Sequence, residues 1–535
     1  MCFGNIMTEL KPKGKAVDNR PENTTVHVAG AGLAGSECAL QLARLGYNVV
    51  LIEMRDEVMT PAHTTNRCAE LVCSNSFGSL SSTSAPGQLK WEAEQLGSFI
   101  LEAALDARVP AGQALGMDRD MFAAMVTDRV SKEPLIRREI RVVRSLDELP
   151  RPCVVATGPL THADLARSMQ NHFGDKFLYF FDAIAPIISA DSINMNIAWR
   201  ADRWDKGTKD YINCPLSKND YYFLIGEMKL AKKIESKDFE KTSPESEDTP
   251  YFDGCMPIEA MLERGDLTPR FGPMSPKGLK DPRTGNNPFA VVQLRQENRE
   301  ATAYNIVGFQ TKMAYADQKR VLRLIPGLED ADFLKLGSMH RNLYINTPKC
   351  LNNDLSSKAD PWLFFAGQIT GVEGYFESTC MGMMVARFLD AKVRGQLALD
   401  AVNIHGDANH PSLVPSRATA MGSLLNAITD ETKIDHFQPT NINFGHMPKI
   451  GDDEAHAAAA AMAGSALSLS GRPRRLDKNQ RRSLQVANAK VAMLDWLKVT
   501  GQRPMENSKV EEASRAILAS ATGANPSVAN SEIGL

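Results

Sequence analysis

Apolar and polar positions along the chain alternate between two regimes, one at strand spacing and one at helix spacing. A short apolar run at residues 26–29 reads as a buried parallel strand, the amphipathic stretch 37–45 as a helix stopped by Gly46, and 49–52 as a second strand that ends on Glu53. Residues 88–107 repeat apolar positions at helical spacing, and 118–130 do the same with Asp118 placed to cap them. Residues 136–144 mix arginine with apolar side chains, as a half-exposed strand would, and 154–155 form a strand that runs into Gly158. From about 182 to 320 the character changes: strand-like pieces at 290–295 and 304–309 mix with a helical piece at 259–264, joined by loops rich in Pro, Gly and Lys. A late apolar strand at 363–366 then ends in Gly367, and a helix follows over about 379–393. Past residue 448 come an alanine-rich stretch, a basic run at 472–482, an amphipathic helix at 486–497 and a polar end that reads as disordered.

This succession predicts an α/β chain. A Rossmann-like domain is expected in two pieces, 25–181 and 321–448, interrupted by an inserted α+β domain over 182–320. Residues 1–24 read as a flexible extension, and 449–535 as a helical, partly disordered appendage.

The first strand, helix and second strand bracket Gly30-Ala31-Gly32-Leu33-Ala34-Gly35. The three glycines serve separate ends, namely a tight turn, close approach of backbone to a pyrophosphate, and close packing of helix on strand. The helix N-terminus offers unpaired N–H groups to phosphate, and Glu53 stands where a carboxylate would accept ribose hydroxyls. A second signal selects FAD over NAD. The strand entering Gly158 and the later strand–Gly367–Gln368–helix succession match the way FAD proteins close over the ribityl chain and flavin.

Composition narrows the classes. A chain of 535 residues exceeds one typical domain. A net charge of −3 is no general nucleic-acid signature, although a local basic patch remains compatible with it. No run of about 18 apolar residues predicts a membrane span. Nine cysteines, an odd and scattered set, suit reduced thiols in the cytoplasm, and no Cys/His spacing predicts a metal site.

Nine motifs then occur in one order: the glycine loop with Glu53, TPAHTTNRCAELVCSNS (60–76), PAGQALGMDR (110–119), ATGPLT (156–161), DGCMPIEAM (253–261), FGPMSPKGL (271–279), YNIVGFQTK (304–312), MHRNLYIN (339–346) and FFAGQITGVEGYFES (364–378). Over roughly residues 24–448 the chain resembles the folate- and FAD-dependent tRNA (uracil-5-)-methyltransferases, and TNINF at 440–444 is similar to the related wobble-uridine-modifying flavoproteins. The resemblance implies methylation of uridine C5, in the T-loop of tRNA, with 5,10-methylenetetrahydrofolate as carbon donor, FAD as methylene carrier and reductant, and NAD(P)H to recharge it. It implies Cys255 as the nucleophile that adds to uracil C6 and Cys73 as an assistant in proton transfer, since a thiolate attacks softly and leaves again. His340 and Tyr375 are implied beside flavin and folate, and Arg295, Lys277 and Lys312 are candidates for substrate or RNA phosphate. Asp118 and Arg119 lie near the cofactor or simply start a helix. Cys68, Gln113 and Thr379-Cys380-Met381 depart from the family's usual residues.

Three rival readings stand beside this one. The Cys68…Cys73 spacing is also that of flavin-dependent thiol–disulfide oxidoreductases, although no second glycine loop and no C-terminal His…Glu relay accompany it. A non-catalytic flavin-binding RNA partner would make the appendage the important part. Ribosomal RNA replaces tRNA as substrate in a third. No DNA partner is expected in any of them.

Overall fold

The computed structural model describes residues 24–174, 178–205, 208–233, 256–395, 413–463, 475–505 and 507–522. The opening unit forms as its pattern dictates: strand β1 (Thr25–Ala29), helix α1 (Leu33–Arg44) and strand β2 (Asn48–Glu53). β1 pairs in parallel with β2 and, on its other side, with Cys153–Val155. Leu363–Phe365 adds beyond Cys153–Val155 and Ile136–Ile140 beyond β2, which completes a five-stranded parallel sheet. Its central strands are buried on both faces, so they read as continuous apolar runs rather than alternating ones.

Helix Tyr375–Val393 packs along α1. The approach requires glycine at position 382, where a Cβ would lie 2.2 Å from the Ala34 carbonyl oxygen. This helix starts at Tyr375, one turn before the start read from sequence, because Gly374 at φ +113° lets the chain turn directly into it. The run at 88–107 is likewise two helices, Ala85–Gln95 and Phe99–Asp106. Gly97 at φ +69° ends the first, and Ser98 caps the second through the Leu101 N–H. The apolar spacing continues across that break, which is why periodicity alone merges the two.

Leu178–Ala183 and Met339–Tyr344 pair as an antiparallel ladder, and the chain between them folds separately. Six antiparallel strands there take the order Trp199–Arg200, Ile212–Leu216, Ala290–Gln296, Ala303–Ile306, Ile187–Ser189, Phe333–Lys335. Helices Lys218–Leu230 and Tyr315–Leu322 contribute Leu224, Ile225, Met228, Val321 and Leu322 to a second core, together with Ile188, Val292, Tyr304 and Ile306 of the sheet.

Among the described residues the C-terminal extension is mainly helical. Lys478–Val499 and Lys509–Thr522 lie against Ala85–Gln95. Ala489, Met493, Trp496, Leu497, Val510 and Ala513 join the main core, and the Glu94 carboxylate accepts the Val510 N–H at 3.1 Å. Among the described residues no helix is long and apolar enough to cross a membrane.

Candidate active site

At the carboxyl ends of β1 and β2 the structure opens a cleft of about 1030 Å³. Gly30, Gly32, Leu33, Ala34, Glu53, Gly158, Gly367, Gln368 and Tyr375 all line it. Ala31 and Gly35 stand just behind. The Ala31 N–H donates to Glu53 Oε2 at 3.1 Å, and a Cβ on Gly35 would fall 1.8 Å from the Gly30 carbonyl oxygen.

Each glycine meets a different local constraint. Gly30 holds φ +100°, with Ala156 too close for any side chain. A Cβ on Gly32 would meet no protein atom within 4 Å, so its backbone is bare toward the open space. Gly32 caps α1 without a side chain, and no acid occupies the first turn, so the helix end presents positive N–H dipoles to the cleft. These features fit the pyrophosphate of FAD. Glu53 fits the ribose side: it accepts the Met54 and Arg55 N–H groups at 2.9 and 3.0 Å and pairs with the Arg55 guanidinium at 2.7 Å. Burial alone would raise its pKa; the Arg55 hydrogen bond and charge outweigh that and hold the carboxyl below its ordinary range.

The cleft contains groups that periodicity did not mark. His63 bonds to Thr60 Oγ1 at 2.6 Å, and burial, reinforced by the Arg55 charge, pushes its pKa down to about 4. Its imidazole is therefore neutral at neutral pH. Glu70 pairs with Arg55 at 3.4 Å and accepts from the N–H groups of Thr64 and Thr65. His63 and Glu70 lie on the polar 60–76 stretch, which carries a family motif but no helix or strand period.

Cys73 sits half-buried at the junction of the two domains. Its N–H donates to the Tyr375 hydroxyl at 2.7 Å, and its Sγ lies 3.8 Å from the Ala183 carbonyl oxygen. Arg119 locks the preceding turn, donating to the carbonyls of Leu71 at 2.7 Å and Cys73 at 3.1 Å and pairing with Glu297 at 2.7 Å. Burial disfavours the Arg119 charge, but Glu297 more than offsets it and keeps the guanidinium protonated. Arg295 donates to Ser74 Oγ at 3.0 Å, and Asn75 Nδ2 to the Gln296 carbonyl at 2.9 Å. Lys335 Nζ reaches the Val72 carbonyl at 3.4 Å; burial, then Arg119, lowers its pKa. Arg295, Gln296, Glu297 and Lys335 all belong to the six-stranded antiparallel sheet and its loops, which run past the expected insert boundary at 320 to Lys335, so the Cys73 turn is stitched to a unit distant in sequence.

Asp118 caps its helix through the Met121 N–H and also accepts from the Arg299 N–H of the insert. Lys312 pairs with Glu263 at 3.0 Å and Lys277 is exposed; neither lines the cleft. His340 falls on the strand Met339–Tyr344, with its side chain outside the described residues. Cys255 also lies outside them. Cys68 is a free, buried thiol whose pKa burial raises.

Residues 25–397 match the family model described as glucose inhibited division protein A. A protein of Bdellovibrio bacteriovorus called methylenetetrahydrofolate--tRNA-(uracil-5-)-methyltransferase TrmFO is 60% identical over 89% of this chain and 99% of its own length. One of the same name from Rhizorhabdus wittichii is 50% identical over 79% of this chain and 91% of its own length. Among solved structures, GidA of Aquifex aeolicus shares the fold at a TM-score of 0.54 and 13% identity, over 76% of this chain and 67% of that one. The glycine cleft, the thiol at the domain junction and these matches converge: the chain belongs to the GidA family of flavoproteins, within its methylenetetrahydrofolate–tRNA (uracil-5-)-methyltransferase branch.

Proposed function

We propose that this protein methylates uridine C5 in tRNA, at the T-loop, taking the carbon from 5,10-methylenetetrahydrofolate and recharging its flavin with NAD(P)H. The observation that carries the reading is 60% identity along 99% of the Bdellovibrio methyltransferase, in a chain with a cleft suited to FAD. When bound, FAD supplies the reducing equivalents and carries the one-carbon unit.

The residues of this chain account for the rest. Uracil C5 is a poor nucleophile until a group adds to C6, and Cys255 is assigned that addition. Its sulfur bonds to C6, C5 so activated takes the one-carbon unit, and the sulfur leaves again when the C5 proton is removed. Cys73 is assigned to that proton transfer, next to Tyr375 on the cleft wall. Arg119 and Lys335 bind the carbonyls of Cys73 and Val72, which holds the backbone of the turn that carries the thiol. His340 and Tyr375 are assigned to folate stacking, and Arg295, beside Ser74, to substrate contact.

The test is a visible spectrum followed by incubation with methylenetetrahydrofolate, NADPH and unmodified tRNA, scored for 5-methyluridine. A yellow protein that makes the base only with folate supports the reading, and Cys255→Ala should abolish methylation with flavin still bound. A yellow protein that ignores tRNA and oxidises NADPH against a disulfide would overturn it. Parallel reactions with ribosomal RNA separate the two RNA substrates.

A further inference from the structure

A second concavity, of about 1420 Å³, opens between the segment 444–452 and the first turns of the helix Lys478–Val499. Lys449, Lys478, Arg481 and Arg482 line it against one carboxylate, Asp452. Lys478, Arg481 and Arg482 stand at positions i, i+3 and i+4, which places them on one helix face. Among the described residues none of the four cations has an ion-pair partner within 4 Å. Like charges so placed repel one another, and a polyanion lying across them relieves that repulsion.

The charge is carried by side chains rather than by the helix end. Asp477 and Gln480 close a capping box there, which satisfies the first N–H groups internally. The walls are held together: Gln485 Nε2 donates to the Pro448 carbonyl at 3.0 Å, and Asn488 Nδ2 to Glu454 at 2.7 Å. Arg482 lies over the Phe444 ring, 5.3 Å from its centroid, so a cation and an aromatic face are offered together. Arg475, exposed, stands three residues before Lys478.

The segment that forms one wall of the concavity is anchored beside the cleft. Thr440 bridges to Val372, the Glu373 N–H donates to the Thr440 carbonyl at 2.8 Å, and the Ile442 N–H to Glu377 at 3.3 Å. Residues 440–444 thus run from the helix start that carries Tyr375 and Ser378, both cleft-lining, to Phe444 in the basic wall. We propose that this pocket grips the phosphodiester backbone of the RNA whose target uridine is presented at the cleft. The inference rests on the RNA-methylation reading and assigns part of the C-terminal extension to substrate binding, through phosphate contacts indifferent to base sequence.

The test uses the full flavin-loaded chain and two variants, K478A/R481A/R482A on the helix and K449A on the facing wall. Binding of unmodified tRNA is titrated at several salt concentrations, with methylation kinetics alongside. Each phosphate contact contributes roughly 0.7–0.9 to the slope of log affinity against log salt, so the triple variant should lose about two from that slope. Its KM for tRNA should rise at least ~10-fold with kcat, flavin absorbance and NADPH oxidation without RNA unchanged, and K449A should move the same way by less. Unchanged KM and salt slope in both variants would overturn the proposal. An intact protein that binds tRNA through these residues but makes no 5-methyluridine would leave the surface standing and remove the catalytic reading instead.

Discussion

The glycine loop and the Cys73 turn stand beside the same cleft, yet the chain encodes them in opposite ways. The loop is local: β1, α1 and β2 lie within 29 consecutive residues, from Thr25 to Glu53, and each residue's job follows from its neighbours. The Cys73 turn is built from afar, by Arg119, Arg295, Glu297, Lys335 and Tyr375. The pyrophosphate-facing loop therefore resides in a self-contained unit, although Gly158, Gly367 and Tyr375 complete its cleft from elsewhere, whereas the Cys73 turn depends on how the insert docks. Substitutions should separate the two.

The largest effects belong to the glycines. Gly35→Val drives a side chain into the Gly30 carbonyl and should cost more than ~4 kcal/mol, enough to lose both fold and flavin. At Gly32 a Cβ meets no protein atom within 4 Å, so Gly32→Val should leave the thermal midpoint within a few degrees of the flavin-free wild type while the yellow colour is lost. Thermal melts and flavin absorbance on both variants check this. A yellow Gly32→Val protein would count against the pyrophosphate assignment.

Arg119→Ala comes next. It strands Glu297, whose side chain is 5% exposed, and the loss of a buried partner costs ~3–5 kcal/mol. Arg119 does not line the cleft, so flavin should remain, with methylation down about 100-fold as the Cys73 turn loses its direction. Removing the stranded carboxylate as well, in R119A/E297A, should restore part of the stability but not the rate. Recovery of the rate together with the stability would mean that Arg119 holds the domains together and does nothing for Cys73.

The same contrast sets how much of the molecule was legible in the sequence. The glycine loop and its two flanking strands were, because strand period, helix period and punctuation all agree within one short stretch. Asp118 as a cap was legible for the same reason. Its second bond, to the Arg299 N–H, was not, because nothing within a few residues of 118 specifies a partner 181 positions away. Arg119 was read only as near the cofactor or as a helix start, and Glu297 and Lys335 escaped notice, since an isolated ion in sequence looks like a solvated one. His63 and Glu70 hid in a polar loop without period. The amphipathic face at 486–497 was legible, but the surface it docks on was not, because nothing in that stretch specifies Ala85–Gln95, far back in the chain, as the partner.

His63 gives a smaller and pH-dependent effect. Its folded-state pKa is about 4 against an ordinary 6.5, so the folded state resists protonation. Stability is full above pH 6.5 and falls as pH drops toward 4, by about 2 kcal/mol at pH 5 for this group alone. His63→Asn should flatten that limb when thermal midpoints at pH 7 and pH 5 are compared. Glu53 acts lower: its depressed pKa adds stability present above its ordinary value and lost only as pH falls further, so the two limbs are separable.

The smallest expected effect is the most discriminating between the two thiols of the 68–73 stretch. Cys68 is fully buried, its N–H bound to Thr127 Oγ1 at 2.9 Å, and burial holds its thiol protonated. A thiol so held is a poor nucleophile and a poor redox partner, because the thiolate is the reactive form. Cys73 is half-buried on the turn that Arg119 and Tyr375 fix beside the cleft. Cys68→Ala should thus cost about 1 kcal/mol as a lost packing group and leave methylation within roughly twofold of wild type. Cys73→Ala should retain the fold and lose the reaction. A disulfide-exchange enzyme requires both sulfurs, so equal loss of activity in the two variants would reinstate that mechanism, and unequal loss assigns the cleft to Cys73 alone.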